Sequence, residues 1–159
     1  MPRVHEVKKA RKNYTNWGIK KGDSYYWWKF RFGGKIMSKT YPKRSQLTRS
    51  SFLSTIYDLQ EYSFDVEDLS ASRDDLVGQF QSLLDETQEK FDNMPEQLQE
   101  SSSSGELLQE RISALEDVIS ELESVDTDID EEGLTEEELE EKKQEILESL
   151  QGALETLSI

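Results

Sequence analysis

Ser24-Tyr25-Tyr26-Trp27-Trp28-Lys29-Phe30-Arg31-Phe32-Gly33-Gly34-Lys35 decides how this chain is read. Six aromatic rings in nine residues favour a strand, because flat side chains pack well on a pleated surface. The adjacent Gly33 and Gly34 suit a two-residue hairpin turn, which requires positive φ angles. A return strand over Lys35 to Tyr41 then ends at Pro42, which has no N–H to give to a ladder. With that turn, Arg31 opposes Ile36, Lys29 opposes Ser38, Trp27 opposes Thr40 and Lys39 opposes Trp28. Alternation puts Tyr26, Trp28, Phe30 and Phe32 on a core face and Tyr25, Trp27, Lys29 and Arg31 on the other.

Outward from the hairpin, Val4 to Ala10 offers a third strand, and Lys12 to Asp23, with Gly18 and Gly22, reads as a loop. A helix is expected from about Thr48 to Tyr62, with Phe52, Ile56 and Leu59 as its apolar stripe. It supplies what a two- or three-stranded sheet lacks when alone, a covering layer.

Three more helices are signalled by their starts: Ser72 before Asp75, Ser103 before Glu106 and Thr135 before Glu138. Leu76, Phe80, Leu83 and Thr87 follow the first. Leu108, Ile112, Leu115, Ile119 and Leu122 follow the second. Leu139, Lys143, Ile146, Leu150, Ala153 and Leu157 follow the third. Alternating steps of four and three residues are the coiled-coil seam pattern, and Lys143 within a seam favours one register. Pro95 is expected to break the first of these helices, and Ser101 to Gly105 to form a turn. The expected fold is therefore α+β: a small antiparallel two- or three-stranded sheet with a helix, then an acidic antiparallel helical bundle or coiled coil. The division expected is 1–66 for the basic aromatic module and 67–159 for the helical tail.

The net charge of −15 conceals a segregation. Residues 1–50 hold fourteen of the nineteen Lys and Arg against Glu6 and Asp23, a net of +12; residues 51–159 carry −27. Such asymmetry implies a charged partner for one half, or attraction between the halves in which the tail competes for the basic module. Rings that stack on unpaired bases, beside cations that displace counterions from phosphates, suit nucleic acid. The binding set is Tyr25, Trp27, Lys29, Arg31 and Lys39, with Lys8, Lys9, Arg11, Lys12, Lys43 and Arg44 on the sugar–phosphate backbone. Lys20, Lys21 and Arg49 are further backbone contacts. A protein ligand, or plain packing by a neighbouring loop, explains the same strand without nucleic acid.

The hairpin with Ser38, Lys39 and Thr40 resembles the arm-type DNA-binding domains of phage tyrosine integrases over about residues 24–55. That resemblance implies a three-stranded sheet, backed by a helix, set against DNA. No integrase catalytic segment follows. The stretch Val7-Lys8-Lys9-Ala10-Arg11-Lys12, with Lys20 to Lys35, is also similar to small uncharacterised bacteriophage proteins. This second likeness covers residues 1–60 and implies a viral origin.

With no cysteine and only His5, disulfides, thiolate chemistry and a Cys/His zinc site are excluded. Asp128, Asp130, Glu132 and Gly133 match half of a calcium loop, but Leu139 stands where a bidentate Glu is required. Starting at Asp126 instead puts Glu131 where Gly belongs, so no metal and no cofactor are expected. The carboxylates have no accompanying nucleophile or base, and a non-enzymatic protein follows. Its opening residues form no apolar signal, and no run approaches the ~20 apolar residues of a membrane span. The expectation is a cytoplasmic protein without a membrane partner, binding nucleic acid at its N-terminal module. Its helical tail would take a protein partner or form a homo-oligomer.

Overall fold

The structure, a computed structural model, describes residues 1–130 and 133–157. Glu131 and Glu132 of the half calcium loop lie outside the described residues. The chain divides into two compact units, one from Met1 to Asp58 and one from Leu59 onward.

The first unit contains a three-stranded antiparallel sheet in the order β1 (His5–Val7), β2 (Tyr25–Lys29), β3 (Lys35–Ser38). The hairpin departs from the two-residue turn. A five-residue connection, 30–34, is closed by the Gly33 N–H donating to the Phe30 carbonyl at 3.2 Å. Neither Gly33 nor Gly34 takes a positive φ. Tyr26 therefore opposes Ser38, Trp27 opposes Met37, Trp28 opposes Ile36 and Lys29 opposes Lys35. The expected pairs of Arg31 with Ile36, Lys29 with Ser38, Trp27 with Thr40 and Trp28 with Lys39 do not form. The physical reason is burial: this register sets both large apolar residues of β3 against the two tryptophans, where the expected one used Thr40 and Lys39. A slip by an odd number also exchanges the faces of β3. Phe32, placed on the core face by alternation, lies past the strand end at the loop tip and is 80% exposed.

The face carrying Tyr25 is covered by the chain's own loop. Ala10, Ile19 and Tyr25 form a buried cluster, with Val7, Tyr14, Trp27 and Met37 packed against it. The loop is fastened at its ends, where the Ala10 N–H donates to the Asp23 carbonyl and the Gly22 N–H to the Ala10 carbonyl, at 2.8 and 2.9 Å. Gly18 and Gly22 take φ of 64° and 99°, the left-handed region that a side chain disfavours. On the opposite face, Trp28 is buried, and Tyr26 meets Tyr41 edge to face at 5.4 Å. Phe52 and Ile56 of α1 (Ser51–Gln60) are buried as well.

The second unit is helical: α2 (Leu69–Asp92), α3 (Glu96–Ser101), α4 (Ser103–Ser124) and α5 (Glu136–Glu155). Its core draws on the expected stripes, with Leu76, Phe80, Leu83, Leu115, Ile119, Leu122 and Leu150 all buried. The buried Thr87 hydroxyl donates to the Leu83 carbonyl one turn back, so its polarity is satisfied within α2. Arg73 Nη1 donates to the Val125 carbonyl at 3.0 Å and ties α2 to the end of α4. Lys143 ion-pairs with Glu67 at 3.3 Å.

Thr135 and Glu138 form a reciprocal capping box, which holds the Glu138 carboxyl below its usual range chiefly through the Thr135 backbone N–H. The other two starts differ. Asp68 caps α2 by accepting from the Ala71 N–H, and Ser72 is buried inside the helix, where its hydroxyl accepts from the Asp65 N–H. Ser102 caps α4 through the Gly105 N–H. Gly105 is not a turn residue but lies buried within α4. Among the described residues no helix is long and apolar enough to cross a membrane.

Candidate nucleic-acid interface

All fourteen Lys and Arg of the first unit are exposed. Its acids are three: Glu6, Asp23 and Asp58. Asp23 is engaged, accepting from the Lys20 N–H at 3.0 Å and pairing with Lys39 Nζ at 3.0 Å. The Lys20 amide, then Lys39, holds its carboxyl below the usual range. Lys39 is thus an anchor of the loop rather than a free cation.

The expected stacking rings are largely occupied. Tyr25 is 5% exposed, too buried to meet a base, and burial pushes its phenol up. Trp27 is half-buried with both ring faces taken. His5 stacks on it from β1 at 4.2 Å and 10°, and Lys35 Nζ sits 3.9 Å from its centroid, reaching in from β3 on the other side of β2. Exposed aromatic surface lies elsewhere, on Trp17, Phe32 and Tyr41.

Two groups of these cations stand together. Lys8, Lys9, Arg11 and Lys12 sit on the loop after β1, with Lys12 Nζ 5.4 Å from the Tyr14 ring. Lys29 and Arg31 leave the end of β2 and line a cleft of about 470 Å³ together with Arg49. Its wall is completed by Met1, Pro2, Phe30, Leu47, Thr48, Leu53 and Tyr57, and no lining residue is acidic. The guanidinium of Arg44 lies 4.2 Å from the Tyr57 ring centroid and that of Arg49 5.7 Å from the Phe30 centroid. A guanidinium laid on a ring keeps its N–H donors in its own plane, free to fork onto a phosphate. Lys43 is exposed next to Arg44. Lys29 stands directly opposite Lys35, a like-charge cross-strand pair that costs stability unless an anion joins it.

The structure therefore brings Lys29 and Arg31 together with Arg49, while Tyr25 is buried and Trp27 is covered by His5 and Lys35. In the sequence, Arg49 stands apart from the hairpin as a peripheral backbone contact, and Tyr57 is not among the expected site residues. A signal for Tyr57 does exist: Leu53 and Tyr57 are four apart on α1, outside the Phe52–Ile56–Leu59 stripe, so they share a second face. The chain matches no protein-family model, no curated protein and no solved structure.

Proposed function

We propose that the chain is a non-enzymatic nucleic-acid-binding accessory protein of the cytoplasm, acting through its first unit. The observation that carries this reading is the exposure of every one of fourteen cations on a compact unit of 58 residues with three acids. Cations held in water beside so few carboxylates gain most from a partner that releases condensed counterions, which is what a phosphate backbone does.

The mode differs from simple stacking on the sheet. Phosphate contacts from the loop after β1 and from the Lys29–Arg31–Arg49 cleft carry the affinity, while Trp27 serves to hold His5 and Lys35. Replacing Lys8, Lys9, Arg11 and Lys12 together by Gln is expected to weaken oligonucleotide binding by the full chain at least about tenfold, with little dependence on base sequence. Fluorescence anisotropy with a labelled oligonucleotide measures this. An unchanged affinity would remove the loop from the interface.

A second reading rests on the other unit, whose described carboxylates are all exposed. An adaptor or assembly component could present these acidic helices to a basic protein. Recovery of a cellular partner by a chain whose first-unit cations have been neutralised would favour it.

A further inference from the structure

The cleft between the hairpin loop and α1 combines two chemistries that a phosphate backbone alone does not use. Its rim is cationic, with Lys29, Arg31 and Arg49 and no acid. Its floor is apolar and aromatic, with Leu47, Leu53, Phe30 and Tyr57. A volume of about 470 Å³ lies within the range of small-ligand sites, roughly 300–1,000 Å³. A ligand matching both parts has an anionic end and a flat, mostly apolar body of modest size.

Resting on the nucleic-acid reading, we infer that this cleft receives one nucleotide of an unpaired strand. The phosphate lies among Lys29, Arg31 and Arg49, and the base enters against Tyr57 and Phe30. The guanidinium of Arg44 lies over the Tyr57 ring and that of Arg49 over the Phe30 ring, so cations stand against both rings that receive the base. A duplex keeps its bases stacked and paired, so it cannot fill the floor without extruding one. Single strands, or frayed strand ends, are therefore the preferred partner. The remaining cations of the unit, Lys8 to Lys12 among them, bind backbone of either kind.

The test uses the full chain, at one low ionic strength, with three labelled probes of equal length: oligothymidylate, an abasic phosphodiester strand and a duplex. Thymidylate is expected to bind roughly tenfold tighter than the abasic strand, the worth of one buried base. Arg31→Gln with Arg49→Gln removes the phosphate anchor that seats the nucleotide in the cleft and the guanidinium over Phe30, so the base is no longer held there and the preference should fall to less than about twofold. Lys8→Gln with Lys12→Gln, an equal loss of charge, should weaken all probes and leave the preference intact. Both pairs are exposed, and tryptophan fluorescence confirms that each variant remains folded. Equal binding of thymidylate and abasic strand by the wild type overturns the cleft while leaving electrostatic binding in place. So does a preference that survives in the Arg31/Arg49 variant. Absence of binding to all three probes overturns the nucleic-acid reading itself.

Discussion

Trp28→Ala is expected to unfold the N-terminal unit. The indole is 2% exposed in a sheet of three short strands, and truncating a buried Trp costs about 3–5 kcal/mol. A unit of 58 residues has about 3–9 kcal/mol in total to lose. All three tryptophans, Trp17, Trp27 and Trp28, lie in this unit, so the fluorescence of the remaining two reports its denaturation alone. The transition should move to very low denaturant, while the far-ultraviolet helical signal of the second unit persists. Trp28→Phe should lose less than half as much. The buried Nε1–H has no acceptor among the described residues, and leaving a buried donor unsatisfied costs about 1–3 kcal/mol that phenylalanine avoids. Equal losses in the two variants would contradict this, since they would show that an apolar ring at this position restores nothing.

Gly105→Ala should destabilise the helical unit by about 1–3 kcal/mol, against the direction that helix propensity predicts. Alanine in a helix interior normally gains about 0.5–1 kcal/mol over glycine. At Gly105, however, the added Cβ would stand 2.6 Å from the Leu98 carbonyl oxygen and nearer still to that of Gln99. Both are backbone atoms of α3, which cannot swing aside as a side chain end would, so the clash outweighs the propensity. Gly78 and Gly152 provide the contrast: each lies within a helix with open space where a Cβ would go. Gly78→Ala and Gly152→Ala are expected to raise the thermal midpoint followed by circular dichroism, and Gly105→Ala to lower it. A rise in all three would show that α3 and α4 do not approach so closely.

These two residues also mark what was legible in the chain. Order and type of most elements could be read, because aromatic density and four–three apolar spacing are local signals, but the short α3 was not expected. The buried stripes of α2, α4 and α5 follow from them, as does the capping box at Thr135, where both halves lie three residues apart. Choices between competing local solutions were less visible. Asp68 offers the same cap geometry as Ser72 and starts α2 earlier, allowing Leu69 to be buried. Gly105 reads as a turn residue until the approach of α3 is known. The hairpin register was hidden because Gly33-Gly34 fits a short turn, and only the pairing of Trp27 with Met37 and Trp28 with Ile36 shows why a longer loop wins.

The candidate site was half legible. Segregated charge identified the unit, and Lys29 and Arg31 were identified by their neighbours in sequence. Their association with Arg49, Leu53 and Tyr57 joins segments with no shared periodicity, and it depends on where the loop 30–34 turns. The same tertiary packing withdrew Tyr25 and Trp27 from the surface, since loop 8–23 needed an apolar face to cover.

In the proposed function, cations exposed on the first unit bind nucleic acid through its phosphates. Its most direct test is the salt dependence of oligonucleotide affinity for the full chain, measured by anisotropy from low to physiological ionic strength. Neutralising four to six phosphates of a single strand predicts a slope of about −3 to −4 in log affinity against log salt. Binding that is absent at low salt, or a slope near zero, would contradict it.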